Sequence, residues 1–254
     1  MITRTISTFA ALFLLATAAH AQQGYEFEVY STDVSARGAG EIELHTNFVP
    51  SGSQRVDDPG GRATHRAVRS SLEVSTGIAS WLEASLYAVT YARSGAGLQY
   101  VGNRARLTAV APSKWNLPFD AGLSQEVGYA RRGFAENRWA YEITPILGKE
   151  LGRVSLFLNP AFERGLDAGE PEWEFEPRAQ LAYALGDEGA VGLEYYSVFG
   201  PVSGFDARSH QRHQLFVTGE SELSHDVEAG LGIGRGLTGN SDRWVVTTRL
   251  ELKF

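Results

Sequence analysis

Glutamate and arginine are the residues best placed to do chemistry, because they recur at alternate positions rather than at random. Glu41, Glu43, Glu73, Glu83, Glu126, Glu142, Glu176, Glu194 and Glu220 fall on the polar side of an alternating pattern. Arg104, Arg106, Arg178 and Arg249 share that side. Charges at this density must pair or stay hydrated, since an unpaired buried charge is costly. Two readings follow. Excess carboxylate lines a water-filled path and favours cations, or the glutamates and arginines form a salt-bridged network that fills the interior.

Other candidate chemistry is weaker. Ser209, His210 and His213, with Asp206 nearby, have the residue types of a hydrolytic triad. On a strand, however, Ser209 and His210 point to opposite faces, so no catalytic set is assigned. His45, His65 and His225 stand apart in sequence. Asp57-Asp58-Pro59-Gly60-Gly61 lacks the spacing of a full calcium loop and reads as a turn. The glycines of Gly230-Leu231-Gly232-Ile233-Gly234 sit within an alternating segment, not before a helix; they imply wall bending or close approach of a plug, not nucleotide binding. No cofactor or metal is expected. The net charge of -7 argues against nucleic acid as a partner.

The elements that carry these residues have a period of two. In Trp244–Phe254 the even positions read Trp, Val, Thr, Leu, Leu, Phe, whereas Arg249, Glu251 and Lys253 occupy the odd side. This is a strand with two unlike faces. Twelve such segments are expected, near 39–49, 66–77, 79–92, 97–111, 116–130, 137–150, 152–164, 172–186, 189–200, 209–223, 225–235 and 242–254. Most exceed the roughly 9–11 residues with which a tilted strand crosses a membrane. Short links at Ile78, Leu151, Asp187-Glu188 and Ser224 alternate with mostly longer ones such as 50–65 and 201–208. Outer-membrane barrels have tight turns on the periplasmic side and long loops outside. The expected fold is all-β: an antiparallel up-and-down transmembrane β-barrel of about 12 strands. Twelve lies between roughly eight strands, filled by side chains, and the sixteen or so that leave an open channel.

The opposite face is apolar, with Ile42, Leu44 and Phe48, Leu72 and Val74, Leu156 and Leu158, or Leu231 and Ile233; Gln125 is an exception. Aromatic residues gather at segment ends, with Phe48, Trp139, Phe162, Trp173, Phe199 and Trp244 at one end and Trp81, Phe119 and Phe254 at the other. Two interfacial belts are the expected cause. A mean hydropathy of -0.20 is compatible with this, because only alternate residues meet lipid. Arg131, Arg132, Arg164, Arg208, Arg235 and Arg243 collect near the outer rim. Guanidinium groups there suit the phosphates of an outer-leaflet glycolipid, and ordinary solvated loop charge is the alternative.

The N-terminal stretch has Arg4, an apolar run Phe9–Ala19 and Ala19-His20-Ala21, the pattern of a cleaved signal peptide covering 1–21. Removing those 21 residues from 254 leaves 233, within the range of one all-β domain. The chain has no cysteine, so disulfides cannot staple it. Residues 22–38 are expected to be a lead-in or plug and 39–254 the barrel, since a further crossing would spoil the even strand count.

The last segment resembles the C-terminal assembly signal of bacterial outer-membrane β-barrel proteins, in which a final aromatic follows apolar residues at alternate positions. Trp244, Val246, Leu250, Leu252 and Phe254 carry the likeness; Thr248 departs from it. The resemblance implies an outer-membrane location and handling by the barrel-assembly machinery. In length and strand rhythm the chain is also similar to outer-membrane transporters grouped with the meta-pathway of phenol degradation. Three functions remain open: a channel for small solutes, a closed barrel that binds glycolipid or a partner, and an interfacial lipid-modifying enzyme.

Overall fold

A computed structural model describes residues 27–54, 62–167, 169, 172–186 and 188–254. The expected leader, residues 22–26 and the Asp57–Gly61 turn lie outside the described residues. Twelve long strands follow one another: β1 (Gly40–Ser51), β2 (Ala67–Ala79), β3 (Leu82–Arg93), β4 (Gly97–Val110), β5 (Asp120–Ala130), β6 (Trp139–Leu151), β7 (Val154–Gly165), β8 (Glu174–Ala184), β9 (Gly189–Val198), β11 (Arg212–Ser224), β12 (Val227–Gly236) and β13 (Trp244–Lys253). The two-residue β10 (Gly200–Pro201) continues β9 beyond Phe199 and pairs with β8. Successive strands are antiparallel, and β1 pairs with both β2 and β13, so the sheet closes on itself. Reciprocal backbone bonds between Gly40 and Phe254, 2.9 and 2.8 Å, complete the seam.

Alternation decides which side chains face out. Along β1, Ile42, Leu44 and Phe48 are exposed on the outer wall, while Glu43, His45, Asn47 and Val49 are buried inside. The outward Gln125 is accommodated by the Tyr141 hydroxyl, which donates to its Oε1 at 2.8 Å. Exposed Trp81, Phe119 and Phe254 ring the short-turn end; Phe48, Trp139 and Trp244 ring the long-loop end. Phe199 is half-buried because Phe205, from the β10–β11 loop, folds against it and Phe175.

The turns differ in detail from the expected links. Two-residue turns are Ser80-Trp81, Gly152-Arg153 and His225-Asp226. Ile78 is no link; it is the extra residue where the β2–β3 register shifts between Gly77 and Ala79. An apolar residue can bulge into an outer wall unnoticed by periodicity. Gly152 has φ +68°, the left-handed value that tight hairpin turns require. β5 begins at Asp120 rather than 116, because a 3-10 turn at Ser113–Trp115 and then Pro118 occupy the stretch before it.

The chain preceding β1 runs inside the barrel. Phe27 packs on Phe216 and Tyr196, with ring centroids 4.7 and 5.2 Å away. Tyr30 is clamped by Asn159: its backbone N–H donates to Oδ1 at 2.6 Å and its carbonyl accepts from Nδ2 at 3.0 Å. Farther along, the Ser35 N–H donates to Glu83 Oε2 at 2.8 Å, and Arg37 bridges Gly77 at the short-turn end. Gly77 is required there, since a Cβ would collide with the carbonyl oxygens of Ser35 and Ala36. Gly77→Ala is therefore expected to lift this segment off the wall, lowering the urea midpoint by the equivalent of about 1 to 3 kcal/mol. Maleimide labelling of a Ser35→Cys reporter should become several-fold faster in that background; unchanged labelling would show that the segment is held elsewhere.

Candidate functional site: the barrel interior

Glu43, Glu73, Glu83, Glu126, Glu142 and Glu176 are all buried on the inner wall, as are Arg104, Arg106 and Arg178. Glu41, Glu194, Glu220 and Arg249 also point inward but are only half-buried, the first, third and fourth being close to the short-turn end. Strand register assembles them in a way that spacing alone does not reveal. Glu126, Glu142, Glu163 and Glu174 stand directly opposite one another across β5, β6, β7 and β8. A second run joins Glu222, Glu228, Glu251, Glu43 and Glu73 across β11, β12, β13, β1 and β2. Like charges directly opposite on one face of a sheet repel. Each run must therefore be neutralised or hydrated.

Basic side chains supply part of that neutralisation. Arg178 Nη2 donates to Glu142 Oε2 at 2.5 Å, and Thr144 donates to the other oxygen at 2.7 Å. Arg106 Nη2 donates to Glu73 at 2.6 Å, and its Nη1 lies 3.6 Å from Glu28 of the N-terminal segment. Arg104 is 3.6 Å from Glu126. At the short-turn end Arg249 donates to both Glu220 and Glu228, at 3.0 and 2.8 Å. The network therefore joins wall to wall and wall to plug.

Tyr30 is central to the second kind of contact. The Arg106 guanidinium sits 4.5 Å from its ring centroid and that of Arg178 5.4 Å away, so two wall cations flank one plug aromatic. Beneath the charges, Phe27, Val29 and Tyr30 join Val49, Ile146, Phe157, Tyr196, Phe216 and Val245 in an apolar cluster. Gly234 lacks a side chain where the Phe216 ring lies against the wall, so the β12 glycines admit a wall aromatic, which in turn bears on the plug. Phe134 of the β5–β6 loop packs on Tyr91, centroids 6.0 Å apart, beneath Arg62 of the β1–β2 loop.

Glu28, Tyr30, His45 and Asn159 were not assigned to the site by their sequence pattern, yet all contribute to it. His45 contacts Glu43 and lies 4.0 Å from Glu28. Its place beside Glu41 and Glu43 on the odd face of β1 was the available signal. The serine–histidine candidates are rearranged: β11 begins at Arg212, so Ser209 and His210 lie in an exposed turn, not on a strand. The His213 ring meets Tyr195 OH at 2.5 Å and Gln211 Oε1 at 2.8 Å. At the rim, Arg131, Arg132, Arg164, Arg208, Arg235 and Arg243 are exposed. Arg164 and Arg235 point outward from β7 and β12, and Arg235 stacks over Trp244 at 4.8 Å. Trp244, Leu250, Leu252 and Phe254 are exposed on the outer wall.

A closed antiparallel barrel of twelve long strands with an apolar outer wall has the fold of bacterial outer-membrane β-barrels. Among solved structures it is similar to the COG4313 outer membrane channel from Pseudomonas putida F1, with 12% identity, a TM-score of 0.63 and 90% of this chain aligned to 100% of that one. It is also similar to the NanC porin (11% identity, TM-score 0.56, 84% of this chain and 98% of that one). The KdgM porin, solved in complex with disordered oligogalacturonate, aligns at 12% identity and TM-score 0.54 over 84% of this chain and 98% of its own. Neither a protein-family model nor a curated protein sequence matches this chain.

Arg178 bridges the first carboxylate run and the plug, so its removal leaves Glu142 buried beside other acids. Arg178→Ala is expected to destabilise the refolded barrel by about 3 to 5 kcal/mol, the usual cost of orphaning a buried charge. Glu142→Gln in the same chain should restore part of the loss in urea titrations. Equal stability of the Arg178→Ala and parent proteins would show the pair to be dispensable.

Proposed function

We propose that the chain is an outer-membrane channel for small solutes, narrow and occluded by residues 27–36, with an acidic interior that favours cations. The observation that carries this reading is the seating of the N-terminal segment. It is held by side chains from many strands and contributes no strand of its own, so it can leave while the wall stays closed. Likeness to an outer-membrane channel and two porins supports the barrel's use as a conduit. On this reading the long loops lie outside the cell and the two-residue turns in the periplasm.

Planar-bilayer recording tests this. The full chain is expected to give small, cation-preferring currents, and deletion of 27–36 to enlarge them. Glu43→Gln with Glu73→Gln should reduce the cation preference. A tight seal from both folded proteins would overturn the channel. Phospholipid hydrolysis abolished by Ser209→Ala would point instead to an interfacial enzyme.

A second reading rests on the rim. Exposed Arg164 and Arg235 project at the level of the aromatic belt, where lipid phosphates reside. With Arg131, Arg132, Arg208 and Arg243 they form a glycolipid-binding collar. Arg131→Gln with Arg132→Gln should weaken glycolipid retention during purification; unchanged retention would count against it.

A further inference from the structure

The carboxylate run on β5–β8 brings five acidic side chains together on the inner wall. Glu126, Glu142, Glu163 and Glu174 lie in register, and Glu176 is one inward position along β8. Three guanidinium groups bear on them: Arg104, Arg178 and Arg212. Arg106, the register partner of Glu126, is engaged with Glu73 and Glu28. Five carboxyl groups thus crowd one stretch of the inner wall, where like charges directly opposite one another repel.

Within this run three carboxyl groups converge. One oxygen each from Glu142, Glu163 and Glu176 lies within 4.8 Å of the other two, and all three residues are buried. Glu176 Oε2 is shut off from solvent and receives no hydrogen bond among the described residues, although Glu176 is only 1% exposed. An anionic oxygen in that position needs a cation or a donor.

We propose that Glu142, Glu163 and Glu176 bind a divalent cation of calcium size in the barrel wall. The ligands are hard oxygens, which suits calcium, magnesium or manganese and disfavours softer metals. Calcium, the larger ion, accepts about six to eight oxygens in irregular geometry, whereas magnesium demands a near-ideal octahedron and dehydrates reluctantly, so a buried site of fixed wall carboxylates favours calcium. The site sits on three adjacent strands, so it stands or falls independently of whether the barrel conducts.

Calcium binding to the full refolded chain in non-ionic detergent, after treatment with chelator, provides the test. One equivalent of calcium is expected to bind by calorimetry and to raise the unfolding temperature, with magnesium at least about tenfold weaker. Glu163→Gln and Glu176→Gln should each weaken calcium binding by about tenfold or more, while Glu222→Gln at the exposed rim leaves it unchanged. In chelator, Glu163→Gln should be more stable than the parent, because one repelling charge is gone. Absence of calcium binding by the parent protein, or unchanged affinity in both glutamine variants, would overturn the proposal. So would failure of both variants to fold in chelator, since the carboxylates would then be satisfied without a cation.

Discussion

Lipid offers no hydrogen bonds to a backbone, and the closed register of β1 with β13 answers that constraint. An open sheet of these twelve strands would leave two edges of unpaired N–H and C=O groups, each costing several kcal/mol in hydrocarbon. Closure then creates the second condition. It turns every other side chain into an enclosed volume, and whatever polar groups the sequence puts there must satisfy one another. The outer wall can be almost uniformly apolar because the polar side chains are turned inward.

Inside, the charges follow a different logic from that of an ordinary core. Antiparallel register sets glutamate against glutamate across five strands in one run and four in another. Tyr87 and the two arginines of β4 separate the runs on one side of the barrel. Arg104 and Arg106 are thus placed between acidic bands, and the N-terminal segment presents Tyr30 and Glu28 to Arg106. Occlusion and charge balance are coupled: of the two plug residues that approach Arg106, one is itself a carboxylate.

Much of this was legible in the amino-acid order, since period-two alternation depends only on neighbouring residues. Twelve strands, their faces and the aromatic ends follow from it, and even the outward Gln125 proves to have a partner in Tyr141. What alternation cannot carry is register, which depends on turn geometry and bulges. A turn displaced from Ile78 to Ser80-Trp81 alters which residues meet across the strands. For that reason the interior glutamates were recognisable singly but not as opposed runs. His45 shared the inward face of β1, whereas Glu28 and Tyr30 belong to a segment whose partners lie far away in sequence. Ser209 and His210 show the converse: faces alternate only within a strand, and this one begins at Arg212, beyond both residues.

The clamp between Tyr30 and Asn159 joins residues 129 apart, and Phe27 reaches still farther, to Phe216 on β11. The segment made earliest among the described residues thus has docking partners made among the last. Contacts of such sequence separation must meet their loop-closure entropy before they reward it, so seating this segment belongs with the slow steps of folding rather than with the local hairpins. The filling of the lumen is thereby tied to the meeting of distant parts of the chain, whereas each hairpin of the wall needs only its neighbours.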